Sequence, residues 1–237
     1  MIRVILVLHD LIKVYADWQY PTLRVEEMRV IVEEAHHQKL KAAAHATTPE
    51  RIKNALMAGV DSIEHGHQAN RENLEMMKAK GTFLVPTVGV IDAIFERTKN
   101  DPMTPKRRER RETFLQGIQQ EVQQAMSLGV KIASGFDAGA PARQGRNADE
   151  LVALTRRGMP PLEAIRAATV NAAELLNWQD RVGAIEDCCR GRSAHRRRRA
   201  SAGEVRDERR GGRERYSDAL RPILSESPPA RKSHSWT

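Results

Sequence analysis

Short apolar runs alternate with longer segments of helical period from residue 11 to residue 176. This alternation predicts repeated βα units, in which a helix follows each strand and the strands form a parallel sheet. The predicted strands are residues 11–15, 40–44, 60–64, 82–86 and 130–134. The predicted helices are residues 25–37, 49–58, 70–79, 105–128, 148–157 and 161–176. The pattern therefore indicates an α/β fold built around one core.

Several helix ends carry a local signal of their own. In the sequence TTPERIKNAL, Thr47 and Glu50 have the spacing of a capping box, and Pro49 stands where a first-turn proline is tolerated. Gly59 and Gly129 follow predicted helices at the position where a left-handed residue ends a helix. Strand ends and helix starts are therefore only a few residues apart.

The positive charge is concentrated at one end of the chain. The 237 residues have a formal net charge of +8, which taken alone is typical of nucleic-acid binding. From Asp187 onward there are 14 lysine and arginine residues against 7 acidic ones, whereas residues 1–186 have 25 against 24. We therefore expect one nearly neutral domain at residues 1–186. Residues 187–237 have few apolar positions and no period, which predicts a disordered Arg-rich tail.

The cysteines and the first residues indicate the compartment. Cys188 and Cys189 are adjacent and lie in the tail, so neither a disulfide framework nor a thiolate zinc site is expected. A reducing compartment fits, and we expect a cytoplasmic protein. The apolar run in MIRVILVL is too short to span a membrane and lacks a cleavage signal of small residues, so no export or membrane segment is predicted.

Four residues that suit metal binding or catalysis lie at or just beyond the carboxyl ends of predicted strands. They are Lys13, His45, His65 and Asp137. Catalytic residues collect at this edge in parallel α/β sheets and barrels. Two imidazoles and a carboxylate suit a divalent metal such as zinc.

Each of these residues also has a purely structural interpretation. A single histidine at a strand end is more often hydrogen-bonded within the protein than bound to a metal. Asp137 lies in SGFDAG and is of a type common in turns, and Lys13 could extend to the surface. Their position at the same edge favours the metal site over four separate structural roles.

Five segments resemble the second half of the metal-dependent barrel of the amidohydrolase superfamily. They are LIKVYADW, KAAAHATTPERIKNALMAGVDSIEHG, KGTFLVPT, GVKIASGFDAG and AIRAATVNAAELL. The most similar branch contains the imidazolonepropionase-like and Xaa-Pro dipeptidase-like hydrolases. The resemblance spans residues 10–186 and implies a partial (β/α)8 TIM barrel made of the fourth to eighth strands.

The resemblance implies a role for each of the four residues. Lys13 matches a fourth-strand lysine that is carboxylated and bridges two metal ions, and His45 and His65 match histidine ligands on the next two strands. Asp137 matches the eighth-strand aspartate, which binds metal and transfers a proton from water to the leaving group. The implied reaction is hydrolysis of a small amide or dipeptide-like substrate, with a divalent metal, zinc, as cofactor.

Two further residues are candidates for substrate binding. Tyr15 follows Lys13 by two positions and faces the same side of a strand, where its hydroxyl could contact a substrate carboxylate. Packing of the ring at the barrel mouth is the alternative. His67 shares a face with His65 if the strand continues, although a loop is expected to begin there.

The sequence departs from the family pattern at both ends. No His-x-His pair precedes Lys13, and the sequence turns Arg-rich at Asp187, where the family continues with a Pro-Gly-Lys turn and another strand. We interpret the chain as a fragment whose tail is translated out of frame, with residues 1–9 altered as well. We expect the isolated chain to be inactive, and robust metal-dependent peptidase turnover would contradict this.

Two other functions remain open. The HRRRR run of the tail could contact nucleic-acid phosphates or an acidic partner. The near-neutral domain and the lack of stacking aromatics argue against this function. The other alternative is a degenerate half-barrel with a structural or interaction role, which predicts no metal affinity.

Overall fold

The computed structural model describes residues 11–17, 22–139 and 143–185. The predicted tail at residues 187–237, both cysteines and residues 1–9 lie outside the described residues. No helix in the described ranges is long and apolar enough to cross a membrane.

A parallel sheet with helices between its strands forms the framework. Within the described residues its four strands follow one another in chain order. The strands are β1 (Leu11–Tyr15), β2 (Lys41–Ala46), β3 (Ser62–His65) and β4 (Phe83–Val85). The helices are α1 (Val25–His37), α2 (Pro49–Ala58), α3 (Arg71–Lys80), α4 (Val88–Arg97), α5 (Pro105–Leu128), α6 (Asp149–Arg156), α7 (Pro161–Ala168) and α8 (Val170–Leu175). This arrangement confirms the predicted α/β fold class.

The two faces of the sheet differ in chemistry. On one face Val14, Ala44, Ile63 and Leu84 are buried and belong to the main hydrophobic core, together with residues from the surrounding helices. Because side chains alternate along a strand, the neighbouring positions face the other side. On that second face, Phe83 and Val85 of β4 pack with Ala133 in a smaller apolar cluster. Polar residues occupy this face on β1, β2 and β3.

The strand predicted at residues 130–134 is wrong. Only one isolated bridge forms there, in which Ile132 pairs with Leu84. The backbone N–H of Ser134 then donates to the carbonyl of Ala167 at 2.9 Å. The chain therefore leaves the sheet after one pairing, because its next backbone group bonds to α7 instead of β4.

The helices of the second half also differ from the prediction. The helix predicted at residues 161–176 is two helices, because Thr169 has φ −124° and ψ −85° and interrupts it. Helix α4 has no counterpart in the prediction. Its sequence, VGVIDAIFER, continues the apolar run of β4, and its first residue is preceded by Thr87 in a left-handed conformation without a side-chain cap. Thr87 is of a type that often caps helices, but its side chain makes no capping bond, so this local signal does not account for the start of α4.

Candidate functional site

The polar face of the sheet brings the candidate residues of β1 and β2 together. The strand register aligns Tyr15 with His45 and His45 with Glu64. Lys13 lies two residues before Tyr15 in β1 and therefore shares this face. Three neighbouring strands thus deliver polar side chains to one surface near their carboxyl ends.

Lys13 lies beside a carboxylate that the sequence analysis did not single out. Its Nζ is 3.7 Å from Oε2 of Glu64, and its side chain is 35 % exposed. Ser62 donates a hydrogen bond from Oγ to Oε1 of Glu64 at 2.7 Å. Burial raises the pKa of Glu64, while Lys13 and Ser62 partly offset this effect. The pattern SIEH offered a signal, since period-two alternation puts Glu64 on the same face as the lysine.

His45 lies at the centre of the polar face. Its ring centroid is 5.1 Å from that of Tyr15, in a stacked geometry, and 4.4 Å from that of His65. Burial lowers the pKa of His45, and the positive charge of Lys13 lowers it further, whereas Asp17 and Asp137 raise it. His45 is therefore held as a neutral imidazole at pH 7, which is the form that binds metals.

His65 reaches the same place through an unusual backbone conformation. It ends β3 with φ +73°, a left-handed value at which strand alternation no longer applies. Its Nδ1 is 2.7 Å from Oγ1 of Thr87, an interaction that orients the ring. Burial lowers the pKa of His65 to about 3, with further lowering from His45, His67 and Lys13. The contact with Thr87 leaves Nε2 as the nitrogen that could bind a metal.

His67 lies next to His65 but has different contacts. The ring centroids of the two histidines are 5.5 Å apart. Nε2 of His67 donates a hydrogen bond to the carbonyl of Pro86 at 3.2 Å, and its ring meets Phe114 edge-on at 5.5 Å. Burial lowers the pKa of His67 to about 4. These contacts suit a ring that lines a pocket at least as well as one that binds metal.

The turn between His65 and His67 requires glycine. Gly66 has φ +65°, and a Cβ at this position would lie 2.7 Å from Oε1 of Glu121 and 2.7 Å from Cδ1 of Leu84. Glu121 is buried, and its carboxyl oxygens have no hydrogen-bond partner among the described residues. Burial raises the pKa of Glu121 well above its usual value, which favours the neutral carboxylic acid. Helix α5 thus packs closely beneath the two histidines.

Asp137 approaches the group from the segment after Ile132. Its φ of +48° is also left-handed. Its negative charge raises the pKa of both His45 and Glu64, so its carboxylate lies within electrostatic range of both side chains. Lys13, His45, His65 and Asp137 therefore share one neighbourhood.

Asp17 is a further residue of this neighbourhood that the sequence analysis missed. Its carboxylate accepts hydrogen bonds from the backbone N–H and hydroxyl groups of Thr47 and Thr48, at 3.1 to 3.3 Å. Oδ1 of Asp17 is also 3.6 Å from Nε2 of His45. The predicted Thr47 capping box is wrong: Thr48 is the N-cap residue of α2, and neither threonine side chain caps the helix. Both threonine hydroxyls donate to Asp17, which follows β1 by two residues, instead of capping the helix.

The candidate residues meet some of the requirements of a metal site. Within the described ranges, no group of three or more His, Cys, Asp or Glu side chains is arranged to hold one ion. His45 and His65 nevertheless fit in kind, since both are neutral and their rings are in contact. Lys13, a ligand type only after carboxylation, lies close enough to lower the pKa of both rings. His45 and His65 are therefore residues whose chemistry suits metal binding, and their ligand role stays a prediction.

Comparisons with known proteins agree on one family. The model of the amidohydrolase family matches residues 4–187. The Aspergillus niger protein named ochratoxinase is 40% identical over 148 residues, which are 62% of this chain and 30% of that protein. An uncharacterized Mycobacterium tuberculosis protein is 29% identical over 182 residues, 73% of this chain and 48% of its own.

Solved structures give the same result. A Xaa-Pro dipeptidase with bound methionine in the active site has a TM-score of 0.65 and 34% identity, over 76% of this chain and 46% of that chain. The ochratoxinase structure from A. niger has a TM-score of 0.61 and 36% identity, over 73% and 40%. This chain therefore spans less than half the length of these relatives.

Proposed function

Because the chain belongs to the amidohydrolase family, we propose that it carries part of the active centre of a metal-dependent hydrolase that cleaves an amide or peptide C–N bond. The observation that carries the proposal is the contact between two neutral imidazoles, His45 and His65, whose ring centroids are 4.4 Å apart at the carboxyl ends of adjacent strands. Two buried histidines in contact are costly to protonate, which suits them to a shared cation.

The metal would be held by His45, His65, a carboxylated Lys13 and Asp137. Imidazole nitrogen and carboxylate oxygen are ligands that zinc accepts. When bound, such a metal lowers the pKa of a water molecule and polarises the scissile carbonyl. Family membership supports a divalent metal, and zinc and the modified lysine are our own proposals.

The remaining chemistry belongs to this chain's own side chains. Asp137 accepts a proton from the attacking water and later donates it to the leaving amine. Thr87 holds the ring of His65 through Nδ1, and Asp17 lies beside Nε2 of His45. Tyr15, which is 46% exposed, would contact a substrate carboxylate through its hydroxyl, and His67 is the second candidate for substrate binding.

A small dipeptide-like substrate is the class that the similar proteins favour. The structural neighbours include a Xaa-Pro dipeptidase with bound methionine and a prolidase complexed with N-methylphosphonate-L-proline. An amino-acid-sized group with a free carboxylate matches the exposed phenol of Tyr15 at the edge of the polar face. The expectation that the isolated chain does not hydrolyse peptides stays a prediction.

Zinc binding by a double variant tests the proposal. We expect His45→Ala with His65→Ala to remove zinc binding to the domain, measured by zinc titration and elemental analysis. Replacement of Cys188 and Cys189 by serine in every protein compared suppresses thiolate binding in the tail.

A matched control removes two other imidazoles. His36 and His37 are exposed at the end of α1, away from the carboxyl ends of the strands. His36→Ala with His37→Ala should retain the full zinc content. Equal zinc content in the His45/His65 variant and the parent protein would contradict the ligand assignment and favour a non-catalytic half-barrel.

A further inference from the structure

A cavity of about 700 Å³ opens between helices α4, α5 and α6. Its volume is in the range of pockets that hold small molecules. None of Lys13, His45, His65 or Asp137 lines the cavity. Its lining combines apolar side chains with an unusual number of guanidinium groups. The charged residues of the lining are Arg111, Arg146, Arg156, Arg157, Asp92, Glu96 and Asp149.

Three of the carboxylates already have a cation of their own. Arg157 is buried and donates two hydrogen bonds to the carboxylate of Asp92, at 2.7 and 3.2 Å. Arg146 pairs with Asp149 at 2.6 Å. Glu96 pairs with Lys99, which does not line the cavity. These three pairs neutralise the acidic part of the lining.

Two guanidinium groups are then in excess. Within the part of the chain that the structure describes, Arg111 has no carboxylate within 4 Å; it donates to the carbonyl of Phe95 at 2.9 Å. Arg156 reaches only Asp92, at 3.6 Å, whose two oxygens Arg157 already holds. Arg111 on α5 and Arg156 at the end of α6 are therefore the two cations of the lining that no carboxylate neutralises fully.

The two arginines converge on the same region. The pKa of Glu96 is lowered chiefly by Lys99, and Arg111 and Arg156 lower it further, so both guanidinium groups lie within electrostatic range of one carboxylate. Guanidinium groups present planar sets of N–H donors that match the oxygens of carboxylates and phosphates. An oxyanion is the ligand that such a pair recognises.

The apolar part of the lining indicates what the remainder of the ligand is. The guanidinium of Arg111 lies 4.2 Å from the ring centroid of Phe95, so the ring and the cation form one continuous surface. Leu115 and Val152 add apolar surface on the neighbouring walls. Flat apolar groups pack well on such a surface.

We propose that this cavity binds a small molecule that has an aromatic body and an oxyanion, which Arg111 and Arg156 hold between them. The site is separate from the candidate metal centre, and its test requires no metal. Carboxylates and phosphate esters share the recognised chemistry, and the probes distinguish them.

The experiment is a calorimetric titration of the full 237-residue chain, freed of metal by a chelating resin. The probes are phenyl phosphate, phenylacetate and inorganic phosphate. We expect saturable binding of phenyl phosphate or phenylacetate, and much weaker binding of inorganic phosphate, because only the first two carry a ring. Arg111→Gln and Arg156→Gln should each weaken binding about tenfold, the loss of one charged hydrogen-bonding group.

Arg110→Gln is the matched control. Arg110 is exposed, neighbours Arg111 on α5 and does not line the cavity. Arg110→Gln therefore has the same net charge as Arg111→Gln but leaves the lining of the cavity unchanged. It should bind like the parent chain. Equal weakening in all three variants, or no saturable binding in the millimolar range, would overturn the proposal. Thermal melting checks folding, and Arg156→Gln alone suffices if Arg111→Gln unfolds, since the Arg156 side chain is 69% exposed.

Discussion

At the scale of single residues, the orientation of His65 depends on a hydroxyl contributed by another strand end. Thr87 follows β4, and its Oγ1 lies 2.7 Å from Nδ1 of His65. Both residues are buried, so water does not compete for this contact. Partners of this kind fix the tautomer of a ligand histidine and keep its other nitrogen aligned.

Thr87→Val should weaken zinc binding about tenfold or more, because valine keeps the shape of the side chain but removes the hydroxyl. The measurement is a competition titration with a zinc chelator. Thr82→Val is the control, since Thr82 is also buried but its hydroxyl donates to the carbonyl of Val60 near the start of β3. A zinc affinity unchanged by Thr87→Val would contradict a ligand role for His65.

Strand ends were sufficient to predict that Lys13, His45 and His65 lie at one edge of the sheet, because parallel strands end there. Asp137 was assigned to this edge through a strand at residues 130–134 that does not form. Glu64 and Asp17 were missed for different reasons. Alternation along β3 could have revealed Glu64, whereas the position of Asp17 depends on tertiary contacts with Thr47 and Thr48, 30 or more residues away. Metal ligation by the four residues stays a prediction.

At the scale of secondary-structure elements, α4 begins where another helix supplies the cap. Glu150 of α6 is fully buried and accepts hydrogen bonds from the N–H groups of Val88 and Gly89, at 3.0 and 2.5 Å. Orphan N–H groups of a first turn are usually satisfied by a local side chain. Here the partner lies about 60 residues away in the chain, so no local sequence pattern could predict this helix start.

The titration of Glu150 should make stability depend on pH. Burial raises the pKa of Glu150 to about 7, against 4.5 for an ordinary glutamate. The folded chain therefore binds more protons than the unfolded chain in this window, and stability falls as the pH rises from 4.5 to about 7. The fall attributable to this carboxyl is on the order of 3 kcal/mol.

Glu150→Gln should remove this part of the pH dependence of stability. The measurement is urea unfolding at a series of pH values. The relevant quantity is the difference between parent and variant, because Glu64 and Glu121 also have raised pKa values. Glu163→Gln is the control, since Glu163 pairs with Arg166 at the surface and should leave the pH dependence unchanged. An identical pH slope in the parent chain and Glu150→Gln would contradict the assignment.

At the scale of the whole molecule, one sheet separates an apolar core from the face that carries the polar candidate residues. Ile63 is fully buried on the core side, while its neighbours Ser62 and Glu64 lie on the polar side. The short run VDSIE predicted a strand here, and the βα order predicted a parallel sheet. The breakdown of the strand at residues 130–134 was not predictable, since it depends on the bond between Ser134 and Ala167.

Ile63→Ala should lower the free energy of unfolding by about 2–5 kcal/mol, because it leaves a cavity between the sheet and the helices. Urea denaturation measures the change. Ile165→Ala, at a position that is 50% exposed on α7, is the control and should cost much less. Similar losses for both variants would indicate that the face of β3 carrying Ile63 is not the structural core.

The left-handed backbone at His65 and Asp137 restricts which replacements are informative there. Histidine, aspartate and asparagine tolerate this conformation better than most residues, and β-branched residues tolerate it poorly. Asparagine at His65 or Asp137 therefore changes the side chain while keeping the backbone conformation. Isoleucine or valine would disturb both, so its effect could not be assigned to the side chain alone. The same backbone geometry should limit the substitutions tolerated at these two positions to a few polar residues, whether or not catalysis is retained.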